Sequence, residues 1–200
     1  MASFFCTASA FCAETASYRV VDVLGEAELI EAYAGASKPF KKGLAVPVGA
    51  SIRTGADGTV ELALDTSFEN ALRIGPDSQV TFLNLVPIRL SLDFGTLFVL
   101  KEDAQDEREI RILTQNFLAV VNAGGCLLES TGKRAMLKAF SETTRIFPRI
   151  QGGYSEMPFT VEEGFQYSPQ GWDRLSFADY MVWQGWYKEN TNRKDAAVLR

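Results

Sequence analysis

The stretch 46–65 reads VPVGASIRTGADGTVELALD, and its pattern decides the fold class. Polar and apolar residues alternate on both sides of a glycine-rich turn, and Val60, Leu62 and Leu64 fall on one face of the second run. Alternation with period two is typical of a strand with one buried face. The Asp57-Gly58 pair between the two runs predicts a hairpin, because glycine readily adopts the positive φ angles of tight turns.

Short alternating runs continue on both sides of this stretch, and glycines such as Gly25, Gly75 and Gly95 interrupt them. Many short strands at even spacing are typical of a sandwich, a barrel or a solenoid. The pattern alone does not select among these. The sequence predicts an all-β domain of stacked short strands, sandwich-like or solenoid-like, that ends in a closing hairpin. The predicted strands are 18–24, 26–30, 51–54, 59–64, 71–74, 79–83, 89–94, 96–100, 109–113, 117–122, 126–130, 135–140, 159–162 and 164–167.

The period changes near the C-terminus, where a short amphipathic α-helix is predicted. Ser176 is a residue type that can cap the first turn of a helix. We therefore expect a β domain at 17–170 and a helical tail at 171–200. The residues that share one face at helical spacing are Phe177, Tyr180, Met181, Gln184 and Tyr187, with Trp183 and Trp186 close by.

The first sixteen residues, MASFFCTASAFCAETA, are small and apolar like the end of a secretory signal, although the usual basic start is missing. Ala8-Ser9-Ala10 provides the small residues that signal peptidase requires before its cut. We predict a truncated signal peptide at 1–16 and a periplasmic or secreted location. The alternative is a buried first strand or helix, for which these residues show no amphipathic period.

The cysteines leave two interpretations open. Cys126 lies in an apolar run, where a lone cysteine is usually a small buried hydrophobe. If cleavage follows Ala10, Cys12 remains in the mature protein, and a Cys12–Cys126 disulfide becomes an option in an oxidising compartment.

Composition limits the class of partner. The chain has 200 residues, of which 46% are hydrophobic and 22% charged, which is typical of a domain that folds alone. Its net charge of -5 repels nucleic acid and anionic lipid. No apolar run reaches the roughly 18 residues of a membrane span. We therefore expect that the protein does not bind nucleic acid and that it is not an integral membrane protein.

Histidine is absent, so the most versatile general base and the commonest metal ligand are both missing. Ser130-Thr131-Gly132-Lys133 has the spacing of a Ser-Lys pair but lies between two strand-like runs, and we predict a turn. Glu162 and Glu163 are neighbours on a strand and should face opposite ways. The acidic stretch 101–109 lacks the ligand alternation of calcium loops and is predicted to be a solvated loop. The sequence predicts no catalytic residue, no cofactor and no metal site.

Aromatic residues near the C-terminus give the one signal for binding. Trp172, Trp183, Trp186 and Tyr187 are the candidate partner-binding residues. Exposed tryptophans can form platforms for sugars or anchors for a protein partner. The favoured interpretation is that the helix packs its aromatic face on an exposed sheet, covers the core and protects an edge.

The stretch 46–65 resembles the core repeat of FecR-type domains, in which the pattern G-x-x-I-x-T-G-x-x-G-x-x-x-L recurs, and 49–62 matches it at each fixed position. The segments 72–82, 90–99 and 117–129 are similar to later strands of that family, and the resemblance covers 18–167. It implies an all-β, stacked-strand periplasmic domain that takes part in signal transduction or envelope sensing through protein contacts, without catalysis. The regulatory segment and membrane helix of the full regulator are not found in this sequence, and 65–71 replaces a tight turn of the family. Anti-sigma activity is therefore not carried over.

Three classes of function follow from these observations. The favoured one is a non-catalytic exported FecR-like domain that binds, senses or scaffolds another envelope protein. The second is a carbohydrate- or peptidoglycan-binding β module that stacks sugars on Trp172, Trp183 or Trp186. The third, a histidine-free carboxylate hydrolase, requires two acidic side chains that face each other in a cleft.

Overall fold

The computed structural model of the chain describes residues 19–32, 35–102 and 108–198. Within these residues it contains seventeen strands and one helix, which confirms the prediction of an all-β fold with a short C-terminal helix. The bounds are β1 Arg19–Leu24, β2 Ala27–Ile30, β3 Ser37–Pro39, β4 Ser51–Thr54, β5 Thr59–Ala63, β6 Asn70–Ile74, β7 Gln79–Leu85, β8 Ile88–Lys101, β9 Ile110–Leu113, β10 Phe117–Val121, β11 Gly124–Ser130, β12 Ala135–Ser141, β13 Thr144–Ile150, β14 Gly153–Tyr154, β15 Phe159–Val161, β16 Phe165–Ser168, β17 Gly171–Arg174 and α1 Phe177–Val198.

Sixteen of the seventeen described strands form two large sheets that share β8, and β14 pairs only with the end of β13. Sheet A has the order β1-β5-β6-β8-β11-β12-β16-β17. Sheet B has the order β3-β2-β4-β7-β8-β9-β10-β13-β15, and its β8–β9 pair is parallel, whereas the other pairs are antiparallel. Apart from the β2–β3 pair, strand numbers rise steadily along both sheets. The chain thus advances from one end of the stack to the other while it alternates between the sheets.

One hydrophobic core lies between the sheets and decides between sandwich and solenoid. Alternate residues of a strand face opposite sides, as the period-two pattern predicts. Leu97 and Val99 of β8 belong to the core shared with sheet B, whereas Phe98 and Leu100 belong to a second cluster on the outer face of sheet A. The fold is therefore a sandwich of two sheets, and its sequential growth along the stack is the solenoid-like feature.

The Gly55–Gly58 turn does not close a hairpin, and the hairpin prediction for Asp57-Gly58 is wrong. β4 pairs within sheet B and β5 within sheet A, so the turn carries the chain between sheets. Neither glycine adopts a positive φ. Gly58 is required for another reason, because a Cβ there would lie 2.1 Å from the Glu26 carbonyl oxygen. The predicted closing hairpin of 159–162 and 164–167 is wrong in the same way, since β15 pairs with β13 and β16 with β12.

Four connections between the sheets stack on one another at one edge of the sandwich. They contain Gly25, Gly55, Gly75 and Gly95, which are thirty, twenty and twenty residues apart. Backbone hydrogen bonds join neighbouring connections: the Gly55 N–H donates to Glu26, the Asp77 N–H to Gly55, and the Gly75 N–H to Thr96. The regular spacing of these glycines in the sequence thus corresponds to the regular stacking of the connections.

Gly95 bends β8 without ending it, so the predicted break between two strands is wrong at this point. Residues before Gly95 pair with β7 and β9 in sheet B, and those from Gly95 onward pair with β6 and β11 in sheet A. Its φ is +91°, and a Cβ would lie 2.4 Å from Ser78 Cα. Only glycine satisfies both conditions.

The C-terminal helix lies across the outer face of sheet A. Ser176 caps it as predicted: the Asp179 N–H donates to the Ser176 hydroxyl at 3.2 Å, and the Ser176 N–H donates to the Asp179 carboxylate at 2.9 Å. Residues 171–174, which the sequence analysis assigned to the helical tail, form β17 and pair with β16. No helix among the described residues combines the length and the hydropathy of a membrane span.

Candidate functional site

Trp183 and Trp186 lie between the helix and sheet A, with only 6% and 2% of their surface exposed. The Trp183 ring stacks on Phe140 at a centroid distance of 4.9 Å and an interplanar angle of 3°. The Trp186 ring lies 5.3 Å from that of Phe98. Both indoles therefore belong to the second hydrophobic cluster and offer no surface to a partner.

Gly125 of β11 makes room for the Trp183 ring. A Cβ on Gly125 would lie 2.0 Å from Trp183 Cζ2 and 2.2 Å from Cη2. The indole thus rests directly on the backbone of sheet A. This close approach fixes the position of the helix on the sheet.

Polar contacts flank the two indoles along the helix. The Lys138 ammonium donates to Asp179 at 2.8 Å and to Glu129 at 3.0 Å, and the Asn190 amide donates to the Phe68 carbonyl at 3.0 Å. On the other flank, ion pairs join Arg73 to Glu61 and Glu189, and Arg193 to Glu61.

Lys138 and Asp179 shift each other's pKa in opposite directions. Burial opposes the charge on Lys138, but its hydrogen bonds to Asp179 and Glu129 outweigh burial and raise its pKa. Burial also opposes ionisation of Asp179, and hydrogen bonds from Lys138 and Ser176 outweigh it, so the pKa of Asp179 is lowered. Both groups are therefore charged near neutral pH and hold the start of the helix on the sheet.

The buried face of the helix differs from the predicted one. Tyr180 of the predicted face packs against the second cluster, but Phe177 and Met181 are 79% and 52% exposed. The inward stripe consists of Asp179, Trp183, Trp186 and Asn190. These residues follow helical spacing, but two of the four are polar. A pattern built on apolar residues alone selects the wrong face, because buried polar groups bond to the sheet.

Tyr187 lies at the rim of a groove of about 740 Å³ between the helix and sheet A. Its hydroxyl donates to Glu102 at 2.6 Å, and this hydrogen bond, together with burial, raises the pKa of Tyr187. The Lys194 ammonium pairs with Glu69 at 3.0 Å and Glu102 at 3.4 Å. The two carboxylates face one groove, but the cation between them makes them helix anchors rather than an acid and base pair.

Trp172 lies apart from the other two tryptophans, on the last strand of sheet A, and is 50% exposed. β16 and β17 place Trp172 opposite Tyr167, and Arg174 opposite Phe165. The Trp172 ring lies 5.3 Å from that of Tyr167 and 5.2 Å from that of Phe159 on sheet B. These aromatic rings close the end of the core, and no described strand covers their outer side.

A pocket of about 220 Å³ opens beside Trp172 and is lined by Thr160, Glu162, Phe165 and Trp172. Glu163, in contrast, lines the groove beneath the helix. The two neighbouring glutamates thus line different cavities, but they lie in the connection between β15 and β16 and not on a strand as predicted. They do not form a catalytic pair.

A larger groove of about 870 Å³ lies at the other end of the sandwich. Charges of both signs line it, among them Asp22, Glu26, Lys41 and Arg53. None of the described residues that line it contributes an exposed aromatic ring. It therefore lacks the rigid anchor that recognition surfaces usually present.

The remaining sequence motifs have structural roles. Residues 131–134 form the predicted turn between β11 and β12. Cys126 is fully buried, as predicted, and burial raises the pKa of its thiol to about 12. Cys12, the signal-like 1–16 and most of the acidic stretch 101–109 lie outside the described residues. Within those residues, no three acidic or cysteine side chains come together as a metal site.

Comparison with known proteins supports the fold. No family model matches the sequence, and no curated protein matches it. Two crystal structures, at 2.50 and 1.65 Å, of a "putative anti-sigma factor" from Parabacteroides distasonis ATCC 8503 resemble the chain with a TM-score of 0.52 and 8% sequence identity. The chain shares their fold. The match covers 67% of this chain but only 63% and 64% of those chains.

Proposed function

We propose that this chain is a non-catalytic module of the bacterial envelope that senses or scaffolds by binding another protein. The observation that carries the proposal is the half-exposed Trp172 at the open end of the sandwich. A rigid aromatic side chain anchored by other rings is the typical centre of a protein interface. The likeness of fold to an anti-sigma factor supports a regulatory role, and the resemblance to FecR-type domains supports an envelope location.

Position-specific photo-crosslinking tests whether a partner binds there. A photoreactive residue at the exposed Gln170, in the β16–β17 turn, would lie next to Trp172. A matched probe at the exposed Val48 reports on a different surface. We expect one defined adduct from position 170 in the source bacterium, its loss when Trp172→Ala is added, and no such adduct from position 48. Equal adduct patterns from both positions would contradict the proposal.

Export is part of the proposal and has its own test. Fractionation of the source bacterium should place the protein in the periplasm or the medium. Its mature N-terminus, read by mass spectrometry, should lie between residues 11 and 17. A full-length protein retained in the cytoplasm would contradict export. It would not bear on protein binding, which the crosslinking experiment tests separately.

The second candidate function is binding of carbohydrate or peptidoglycan, which the same half-exposed indole favours. Trp172 is the one proposed stacking residue that lies on an open surface, since Trp183 and Trp186 are buried. Peptidoglycan fragments should then quench the emission of the native protein but not of Trp172→Phe. The absence of any response would exclude this function.

A further inference from the structure

The pocket beside Trp172 is a place where the end of the sandwich remains unfilled. Aromatic rings from β16 and β17 form one wall, and Thr160 and Glu162 form the other. The volume of about 220 Å³ gives room for one long side chain. The chemistry of the two walls therefore decides what can enter.

The Glu162 carboxylate is an unpaired negative charge in this pocket. Unlike Glu61, Glu102 and Glu129, it makes no hydrogen bond or ion pair with any residue that the structure describes. The Glu162 backbone carbonyl accepts a hydrogen bond from the Phe165 N–H, which fixes the backbone from which the side chain extends. A carboxylate held at a pocket mouth attracts a cation.

The aromatic wall attracts a cation as well, because ring faces carry partial negative charge. The Arg174 guanidinium already lies 5.9 Å from the centroid of Phe165. Trp172, the strongest cation-binding ring type, has no described cation over it. We propose that this pocket binds the lysine or arginine side chain of the partner protein, an inference that rests on the proposed protein-binding function.

The surroundings favour a protein segment over a saccharide. β15 and β17 are the last strands of their sheets among the described residues, so the outer edge of β17 has unpaired backbone donors and acceptors next to the pocket. An extended segment can pair with such an edge and insert one side chain beside it. A sugar carries several hydroxyls, for which one hydroxyl and one carboxylate in the lining are too few partners.

The test uses the full chain and three peptides that differ in one side chain. The first probe is acetyl-Thr-Val-Lys-Val-Thr-amide, and its variants carry norleucine or glutamate in place of lysine. Binding is followed by tryptophan emission and, in all variants including Trp172→Ala, by the amide shifts of Gly171–Arg174. We expect the lysine peptide to bind about tenfold more tightly than the norleucine peptide, and the glutamate peptide not to bind.

Two neighbouring carboxylates provide matched variants for this test. Glu162→Gln should weaken lysine-peptide binding about two- to fivefold, because it removes the ion pair and leaves the aromatic wall. Glu163→Gln should leave it unchanged, because Glu163 lines the other groove. The circular dichroism spectrum of each variant should equal that of the native chain. Trp172→Ala should abolish binding.

Each remaining outcome decides against the inference in a recognisable way. Equal affinity for the lysine and norleucine peptides, or equal effects of the two glutamine variants, overturns the cation site. A response to peptidoglycan fragments without a response to the lysine peptide overturns it in favour of a sugar. A crosslink from position 170 without lysine binding refutes the cation site and leaves protein binding intact. Lysine binding without any crosslink contradicts the protein-binding function instead.

Discussion

Replacing Gly125 by alanine should loosen the C-terminal helix from sheet A. The added Cβ would lie 2.0 Å from Trp183 Cζ2, whereas carbon atoms in contact are about 3.5–4 Å apart. The indole must therefore retreat by about 1.5 Å, which disturbs its stack on Phe140.

The expected cost combines two opposing effects. Overpacking of this size costs about 1–3 kcal/mol, and the reduced freedom of the unfolded chain offsets about 0.4–1 kcal/mol of it. We expect Gly125→Ala to lower the free energy of unfolding by about 1–2 kcal/mol. Urea unfolding, followed by circular dichroism and tryptophan emission, measures this value.

Gly185→Ala is the matched control, because the same substitution should raise the free energy of unfolding at that position. Gly185 lies within α1, and no atom lies within 4 Å of its added Cβ. Alanine is favoured over glycine in a helix by about 0.8–1 kcal/mol, so this variant should be more stable than the native chain. The reasoning is refuted if Gly125→Ala is as stable as the native chain and leaves the emission of the helix tryptophans unchanged.

Three further predictions concern the helix cap, acid sensitivity and the buried thiol. Ser176→Ala should cost about 1 kcal/mol in urea unfolding, because it removes the cap, whereas Ser176→Asn should cost a few tenths. A loss as large in the asparagine variant would contradict a capping role. The pKa of Asp179 is lower in the folded state than its unfolded-state pKa of 3.8, so its charge stabilises the folded state at pH values above 3.8. This contribution is lost as the pH falls through the folded-state pKa. The urea midpoint should therefore fall more between pH 7 and pH 3 in the native chain than in Asp179→Asn, and parallel profiles would refute the coupling. With Cys6 and Cys12 replaced by serine, Cys126 should react with a disulfide reagent at least about a hundredfold more slowly in the folded than in the unfolded chain, and equal rates would disprove its burial.

Much of the sheet structure could be predicted from alternation, but the pairing of the strands could not. The runs around Val60 and Leu92 alternate, and both are strands in the structure. Which sheet a strand joins depends on contacts distant in sequence, such as those of Gly58 with Glu26 and of Gly95 with Ser78. A dipeptide typical of hairpins therefore connects two sheets here. β13 was missed because Thr144–Ile150 contains Pro148 and alternates poorly.

The helix and the packing of its aromatic residues on a sheet were predicted, but the polar part of its buried face was not. Apolar spacing selected Phe177 and Met181, whereas Asp179 accepts a hydrogen bond from Lys138 of β12 and Asn190 donates one to the Phe68 carbonyl in the β5–β6 connection. Such complementarity is invisible in the helix sequence alone.

The candidate residues could be named from the sequence, but not divided into structural and exposed ones. Trp172, Trp183 and Trp186 lie within fifteen residues of each other. Trp172 is in β17 of sheet A, however, and the chain after Arg174 crosses to the outer face of that sheet, where the helix lies. The pocket at Glu162 joins residues of both sheets, so no local pattern indicates it.

The rest of the proposal depends on the division of the three tryptophans between the helix interface and the open end of the sandwich. Acrylamide quenching of tryptophan emission tests this division most directly. We expect one quencher-accessible component in the native chain, its disappearance in Trp172→Phe, and its retention in Trp183→Phe and Trp186→Phe. A component that survives Trp172→Phe and disappears with either helix variant would contradict both the docked helix and the binding site at the end of the sheets.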